Sequence, residues 1–100
     1  MENVALWALL KAKAGKENEL ADFLKSAVPL VEAEPETISW FALQIGPSTF
    51  GIFDTFAADS GRDAHLSGKV AEALMAKAPE LLSEPPSIQK VDLLAVKARE

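Results

Sequence analysis

The chain has one histidine, His65, and its side chain is the group best suited to moving a proton. An imidazole titrates near neutral pH, so a histidine that points at a pocket can take a proton from a ligand or return one. His65 lies in the segment Arg62-Asp63-Ala64-His65-Leu66, for which we predict a short helix. The alternatives are a partly exposed helix residue, or one that is hydrogen-bonded to Asp63 or to a carbonyl group.

A second unusual residue is Asp54, which interrupts an apolar face of a predicted strand. The apolar residues of that face are Phe50, Ile52 and Phe56. A carboxylate on a buried face is costly unless it meets a partner. Asp54 is therefore expected to pair with His65, Arg62 or a helix end, or to face a water-filled cavity. A structural cap on the following turn is the alternative.

The strands that would position these residues are rich in aromatic side chains. Such residues at strand spacing are more often core or dimer interface than a ligand platform. We predict that Trp40 and Phe53 lie on an interface face of the sheet. The other face looks toward the helices and His65, and the residues expected to line a ligand cavity there are Phe41, Phe50, Ile52 and Phe56.

The segment from Ile38 to Phe56 reads as a hairpin with two apolar faces. A two-residue connection through Pro47-Ser48 would pair Ile45 with Phe50 and Leu43 with Ile52. A sheet that faced water on one side would alternate apolar with polar residues. Something must therefore cover both faces, and we expect a second copy of the chain to cover one of them.

The rest of the chain supplies two further strands and two helical regions. The predicted order is strand, helix, hairpin, helix and strand, with these segments: a strand over 4–13, a helix from about 17 that Pro29 kinks and Pro35 ends, helical segments over 61–67 and 70–78, and a strand over 87–98. This β-α-β-β-α-β order predicts an α+β, ferredoxin-like fold with a four-stranded antiparallel sheet and helices on one face. Residues 1–100 are expected to form a single domain.

Composition excludes several classes of function. A net charge of −5 opposes nucleic acid and anionic membranes as partners. The absence of cysteine removes thiolate catalysis, and one histidine makes a zinc site improbable. The glycines form no phosphate-binding loop. The apolar run 4–10 is too short to cross a bilayer, and Glu2 before it argues against a signal peptide, so the expected location is the cytoplasm.

Taken together, these residues resemble the antibiotic biosynthesis monooxygenase family over nearly the whole chain. The resemblance rests on three features: the opening strand followed by Ala14-Gly15-Lys16, the hairpin ending in Phe53-Asp54-Thr55-Phe56, and Ala64-His65-Leu66 downstream. In this family an acidic residue two before an aromatic ends the third strand, and the next helix brings a histidine. Asp54, Phe56 and His65 match those places.

The resemblance implies dimeric α+β barrels with a pocket between helices and sheet in each subunit. It also implies oxidation of phenols, quinols or polyketide aromatics by O₂ without metal or flavin, so no cofactor is expected. Some relatives degrade haem, but the asparagine that they carry on the first strand has no counterpart among residues 5–10.

The leading hypothesis is a homodimeric, cofactor-independent monooxygenase acting on a small aromatic molecule. His65, oriented or charge-balanced by Asp54, would deprotonate a phenolic hydroxyl, and the phenolate would pass an electron to O₂ in a pocket poor in water. The alternative is a non-catalytic module of the same fold that binds a small molecule. A hydrolase is the weakest alternative, because no nucleophile with an evident base is present.

Overall fold

In a computed structural model, which describes residues 1–97, the chain forms one four-stranded antiparallel sheet with the strand order β2-β3-β1-β4. The elements are β1 (Val4–Lys11), α1 (Glu17–Ser26), α2 (Val28–Glu32), β2 (Thr37–Gln44), β3 (Thr49–Phe56), α3 (Asp59–Leu66), α4 (Lys69–Leu81) and β4 (Ser87–Asp92). This is the ferredoxin-like α+β fold, and the prediction of fold class is confirmed.

The core lies between one face of the sheet and the helices. Side chains alternate between the two faces of a strand, so Leu10 of β1 and Phe50 of β3, which are paired, point to the same side. Both are buried against apolar residues of the helices, namely Leu20 and Leu24 of α1 and Leu74, Ala78 and Leu81 of α4. The apolar residues of these helices recur at helical spacing, so each helix has an apolar side that packs on this face of the sheet.

The opposite side carries a row of apolar side chains that we call the open sheet face: Trp7, Leu9, Phe41, Leu43 and Phe53. Phe41 is 52% exposed and Leu43 is 39% exposed. The Trp7 ring lies over Gly51, where an added Cβ would come within 2.6 Å of the indole. An exposed apolar surface of this kind marks an interaction site in many soluble proteins.

The predicted register of the hairpin is wrong by one residue on β2. Phe50 pairs with Gln44 rather than Ile45. The reason is the length of the connection: the amides of Ile45 and Gly46 both donate to the Thr49 carbonyl, so the loop spans residues 45–48.

A slip of one residue moves every side chain of a strand to the other face. Phe41 and Leu43 therefore lie on the open sheet face beside Phe53, whereas Trp40 points toward the helices opposite Asp54. The assignments of Trp40 to the interface face and of Phe41 to the helix-covered face are both wrong. Phe53 is on the open face as expected.

The ends of several helices and strands also differ from those predicted. The first helical region divides into α1 and α2, with Pro29 in the first turn of α2, where the missing amide costs nothing. Helix α4 continues through Pro79 to Leu81, and β4 ends at Asp92. The last predicted strand residue, Ala98, falls outside the described residues. No helix within residues 1–97 has the length and apolar character needed to cross a membrane.

Candidate functional site

The imidazole of His65 lies between two carboxylates. Its Nδ1 is 2.6 Å from Glu34 Oε1, and its Nε2 is 2.8 Å from Asp54 Oδ2. His65 is only 7% exposed, so these contacts are made inside the protein. Both ring nitrogens therefore have an acidic partner.

Asp54 reaches His65 because of its place on β3. It lies on the helix-covered face, with Leu6 of β1 and Trp40 of β2 as its cross-strand neighbours. Its exposed fraction is 1%, and its Oδ1 atom has no hydrogen-bond partner within residues 1–97. The Phe56 ring, centred 5.5 Å from the imidazole, closes the site on another side. His65 is thus the partner that this buried carboxylate requires.

Glu34 comes from the loop between α2 and β2. This loop packs against glycines of the α3 region: a Cβ added at Gly61 would lie 3.0 Å from Glu36, and one at Gly68 would lie 3.2 Å from Glu34 Oε2. The Thr37 hydroxyl donates a hydrogen bond of 2.7 Å to Glu34 Oε1. Oε1 therefore has two partners, whereas Oε2 is buried and has none in the described part of the chain.

This environment raises the pKa of His65 above its ordinary value. Burial of the imidazole opposes the charged form, but the hydrogen bonds and charges of Asp54 and Glu34 together outweigh it. An imidazolium can donate one N–H to each carboxylate. A neutral imidazole has one N–H and would turn a lone pair toward the other carboxylate. The geometry therefore favours a histidine that holds its proton.

A cavity of about 370 Å³ lies against this cluster. It is bounded by the α2–β2 loop on one side and by α3 and the start of α4 on the other. Its walls are Leu30, Ala33, Glu34, Pro35, Glu36, Thr37, Gly61, Ala64, His65, Gly68 and Lys69. Glu34 and His65 are thus on the cavity wall, and Asp54 lies behind them.

The aromatic lining predicted from the sequence is not found in this cavity. Phe50 and Ile52 belong to the core cluster, and Phe56 is fully buried behind His65. Phe41 lies on the open sheet face. The structure therefore brings Asp54 and Phe56 against His65, but none of the four predicted lining residues lies on the cavity wall.

A second cavity, of about 280 Å³, lies on the other side of Glu34. Glu34 and Thr37 line both cavities, and Trp40 lines the second. The indole Nε1 atom of Trp40 is buried and has no acceptor within the described residues.

Arg62, the alternative partner for Asp54, has a different role. One end of its guanidinium donates to the carbonyls of Ala5 and Val91, and the other end pairs with Asp59 at 2.9 Å. Arg62 thus ties α3 to β1 and β4. This anchorage holds the helix that carries His65.

Sequence reasoning missed Glu34. The segment Glu32-Ala33-Glu34-Pro35-Glu36 offers three acids of the same type, and nothing in their spacing selects one. The selection is tertiary, because it depends on how closely the loop approaches Gly68. The described residues include no group of His, Cys, Asp or Glu side chains arranged to hold a metal ion.

Solved structures, rather than family models or curated sequences, provide the proteins to which this chain is similar. No family model matches it, and no curated protein matches it in sequence. The solved structure of NE2512, a protein of unknown function from Nitrosomonas europaea, is 58% identical to it with a TM-score of 0.97, and the match covers 100% of this chain and 97% of that one.

More distant structures share the fold alone. Rv0793 from Mycobacterium tuberculosis is 18% identical with a TM-score of 0.83, covering 96% of this chain and 99% of that one. A protein from Nitrosomonas europaea, provisionally named as an antibiotic biosynthesis monooxygenase, is 14% identical with a TM-score of 0.81, covering 92% and 90%. The resemblance drawn from the sequence is therefore confirmed at the level of the fold.

Proposed function

We propose that this chain, which belongs to the family of the Nitrosomonas europaea protein NE2512, oxidises a small phenol with O₂. The observation that carries the proposal is the buried Glu34–His65–Asp54 cluster on a cavity wall. Such a cluster can receive and hold a proton in a place that water reaches poorly. The fold shared with antibiotic biosynthesis monooxygenases agrees with this chemistry.

In the proposed reaction the protein removes a proton and the substrate supplies the electrons. The phenol loses its hydroxyl proton, and the phenolate passes an electron to O₂. In the complete reaction one oxygen atom enters the ring and the other leaves as water, so that phenol and O₂ give a quinone and H₂O. All four electrons that reduce O₂ come from the substrate.

We assign the first contact with the phenol to Glu34 rather than to His65. Both nitrogens of His65 already have carboxylate partners, whereas the Glu34 Oε2 atom is an acceptor without a partner among the described residues. His65 fixes the position of Glu34, and Asp54 balances the charge of the imidazolium from behind. Lys69 also lines this cavity, and its positive charge would favour the phenolate.

The size of the cavity limits the substrate. Ligand pockets commonly span about 300 to 1,000 Å³, and this cavity of about 370 Å³ is near the lower end. The proposed substrate is therefore a phenol or quinol of one or two rings rather than a polycyclic polyketide.

A second candidate function is binding without catalysis. It is favoured by the same two hydrogen bonds of His65, because an imidazole saturated by carboxylates also suits a purely structural role. In that case the cavity would hold a small aromatic molecule without any reaction with O₂.

We also propose a cytoplasmic homodimer assembled through the open sheet face. Phe41, Leu43 and Phe53 leave apolar area exposed there, and a second copy offers a surface of the same kind. Protein interfaces of this type bury about 800 Å² on each partner.

The test is oxygen uptake by the metal-free protein with a panel of small phenols and quinols. Glu34→Gln and His65→Ala should each lower turnover by about 10² to 10⁴. Glu80→Gln is the matched control, because Glu80 is exposed on α4 away from the cavity. Saturable binding with no oxygen uptake across the panel would favour the binding module, and turnover unaffected by either substitution would refute the assigned roles.

A further inference from the structure

We propose that the second cavity is a subsite in which the indole N–H of Trp40 binds a neutral oxygen acceptor, such as a ketone, on the same phenol. This inference rests on the proposed function, since it extends the site around Glu34. It assigns to Trp40 a specificity-determining role that differs from the interface role expected from the sequence.

The first support is the unused donor. Trp40 lies on the helix-covered face of β2, where it packs against both apolar clusters of the core. Its Nε1 atom is buried and lacks an acceptor in the described chain. Buried N–H groups in native proteins nearly always have a partner, either in the protein or in an ordered water molecule. A ligand oxygen would supply the one that is missing.

The second support is the position of the cavity. Glu34 and Thr37 line both cavities, so these two residues form a wall that the cavities share. The Thr37 hydroxyl and His65 both pair with Glu34 Oε1, whereas Oε2 has no partner within residues 1–97. The site thus presents an unused acceptor at Glu34 and an unused donor at Trp40. The proposed ligand carries one hydroxyl for Glu34 and one acceptor oxygen for Trp40.

The charge of the second cavity limits which oxygen acceptors the ligand can carry there. Its lining includes Glu32 and Glu34 and contains no basic residue. A ligand carboxylate would be repelled by these acids, whereas a ketone or aldehyde carries a lone pair without a charge. The class that fits is a hydroxyaryl ketone or aldehyde rather than a hydroxybenzoate.

Anaerobic calorimetry on the 100-residue chain tests this with two compounds of similar size, hydroxyacetophenone and ethylphenol, each as the 3- and 4-isomers. The wild type should bind the better ketone isomer about 2- to 12-fold more tightly than the matching ethylphenol, as expected for one hydrogen bond. Trp40→Phe removes the N–H and keeps an aromatic ring, so it should abolish this preference. Trp7→Phe, the same change on the open sheet face, should retain it.

A direct readout avoids reliance on a variant that folds poorly. The chain has two tryptophans, so the Trp7→Phe protein shows one indole N–H resonance, which belongs to Trp40. That resonance should shift downfield when the ketone binds and much less when ethylphenol binds. An unshifted resonance, or equal affinity for the two ligands, would overturn the subsite.

The result also separates this inference from the proposed function. Ketone-selective binding without oxygen uptake would support the subsite and refute the oxidation. Oxygen uptake with no ketone preference would support the oxidation and refute the subsite. Failure of every phenol and ketone to bind would refute both.

Discussion

Replacing Asp54 by asparagine should lower the pKa of His65 more than any other single substitution at the site. The change removes a negative charge 2.8 Å from Nε2 but keeps the shape of the side chain. Burial still opposes the imidazolium in the variant, and Glu34 is then its only acidic hydrogen-bond partner within residues 1–97. Glu34→Gln should have a smaller effect, because the Glu34 side chain is 19% exposed and that of Asp54 is 2% exposed.

The expected size follows from the distance. An opposite charge within about 4–6 Å moves a pKa by about 1–3 units. A fall of this size corresponds to about 1.4–4 kcal/mol of lost stabilisation of the charged form. This is comparable with the cost of leaving a buried charge without its partner.

The sign of the pH dependence follows from the raised pKa. In the folded wild type the pKa of His65 lies above the value of about 6.5 expected in the unfolded chain. The proton therefore contributes stability that is fully present below about pH 6.5 and is lost as pH rises through the folded-state pKa. The stability difference between wild type and Asp54→Asn should accordingly be larger at low pH than at high pH.

The assay is an NMR titration of the imidazole Cε1 proton. With one histidine in the chain, a single resonance reports the group without ambiguity. Urea unfolding at pH 6 and pH 9 supplies the linked stabilities, and Glu80→Gln again serves as the control. A His65 pKa that is unchanged in Asp54→Asn, or lowered more by Glu34→Gln, would refute the reasoning.

Two further substitutions test the loop and the open sheet face. Gly68→Ala places a methyl group 3.2 Å from Glu34 Oε2 and should push the carboxylate from His65, so the same titration should show a lower His65 pKa, with a smaller fall than in Asp54→Asn. Phe53→Ala should cost about 2 kcal/mol or more of dimer affinity if the open sheet face is the interface, which sedimentation equilibrium at micromolar protein would detect. An unchanged titration would contradict the first expectation, and a monomeric wild type would contradict the second.

Fold class was predictable because its signals are local and repeated. Apolar residues on both parities of the first strand, amphipathic spacing around Leu20 and Leu24, and prolines at the breaks each favour the same arrangement. The hairpin register was not predictable in the same way. Both faces of β2 are apolar, so a shift by one residue leaves an equally apolar pattern. The register is set instead by the backbone hydrogen bonds of the loop.

The candidate site also has one part that the sequence predicts and one part that it does not. Asp54 stood out because a carboxylate interrupts an apolar strand face, and a buried acid needs a partner such as the lone histidine. Glu34 carried no comparable signal among three neighbouring acids. Its selection depends on contacts with Gly68 and Thr37, which are distant in sequence or meaningful only after the loop has docked.

The central claim is that the Glu34 cluster removes a proton from a bound phenol, and the absorption spectrum of bound 4-nitrophenol tests it most directly. The measurement is made without O₂, at a pH where the free compound is protonated. The account predicts that wild-type protein shows the phenolate band and that Glu34→Gln binds the neutral phenol. A wild-type complex with the spectrum of the neutral phenol would contradict it.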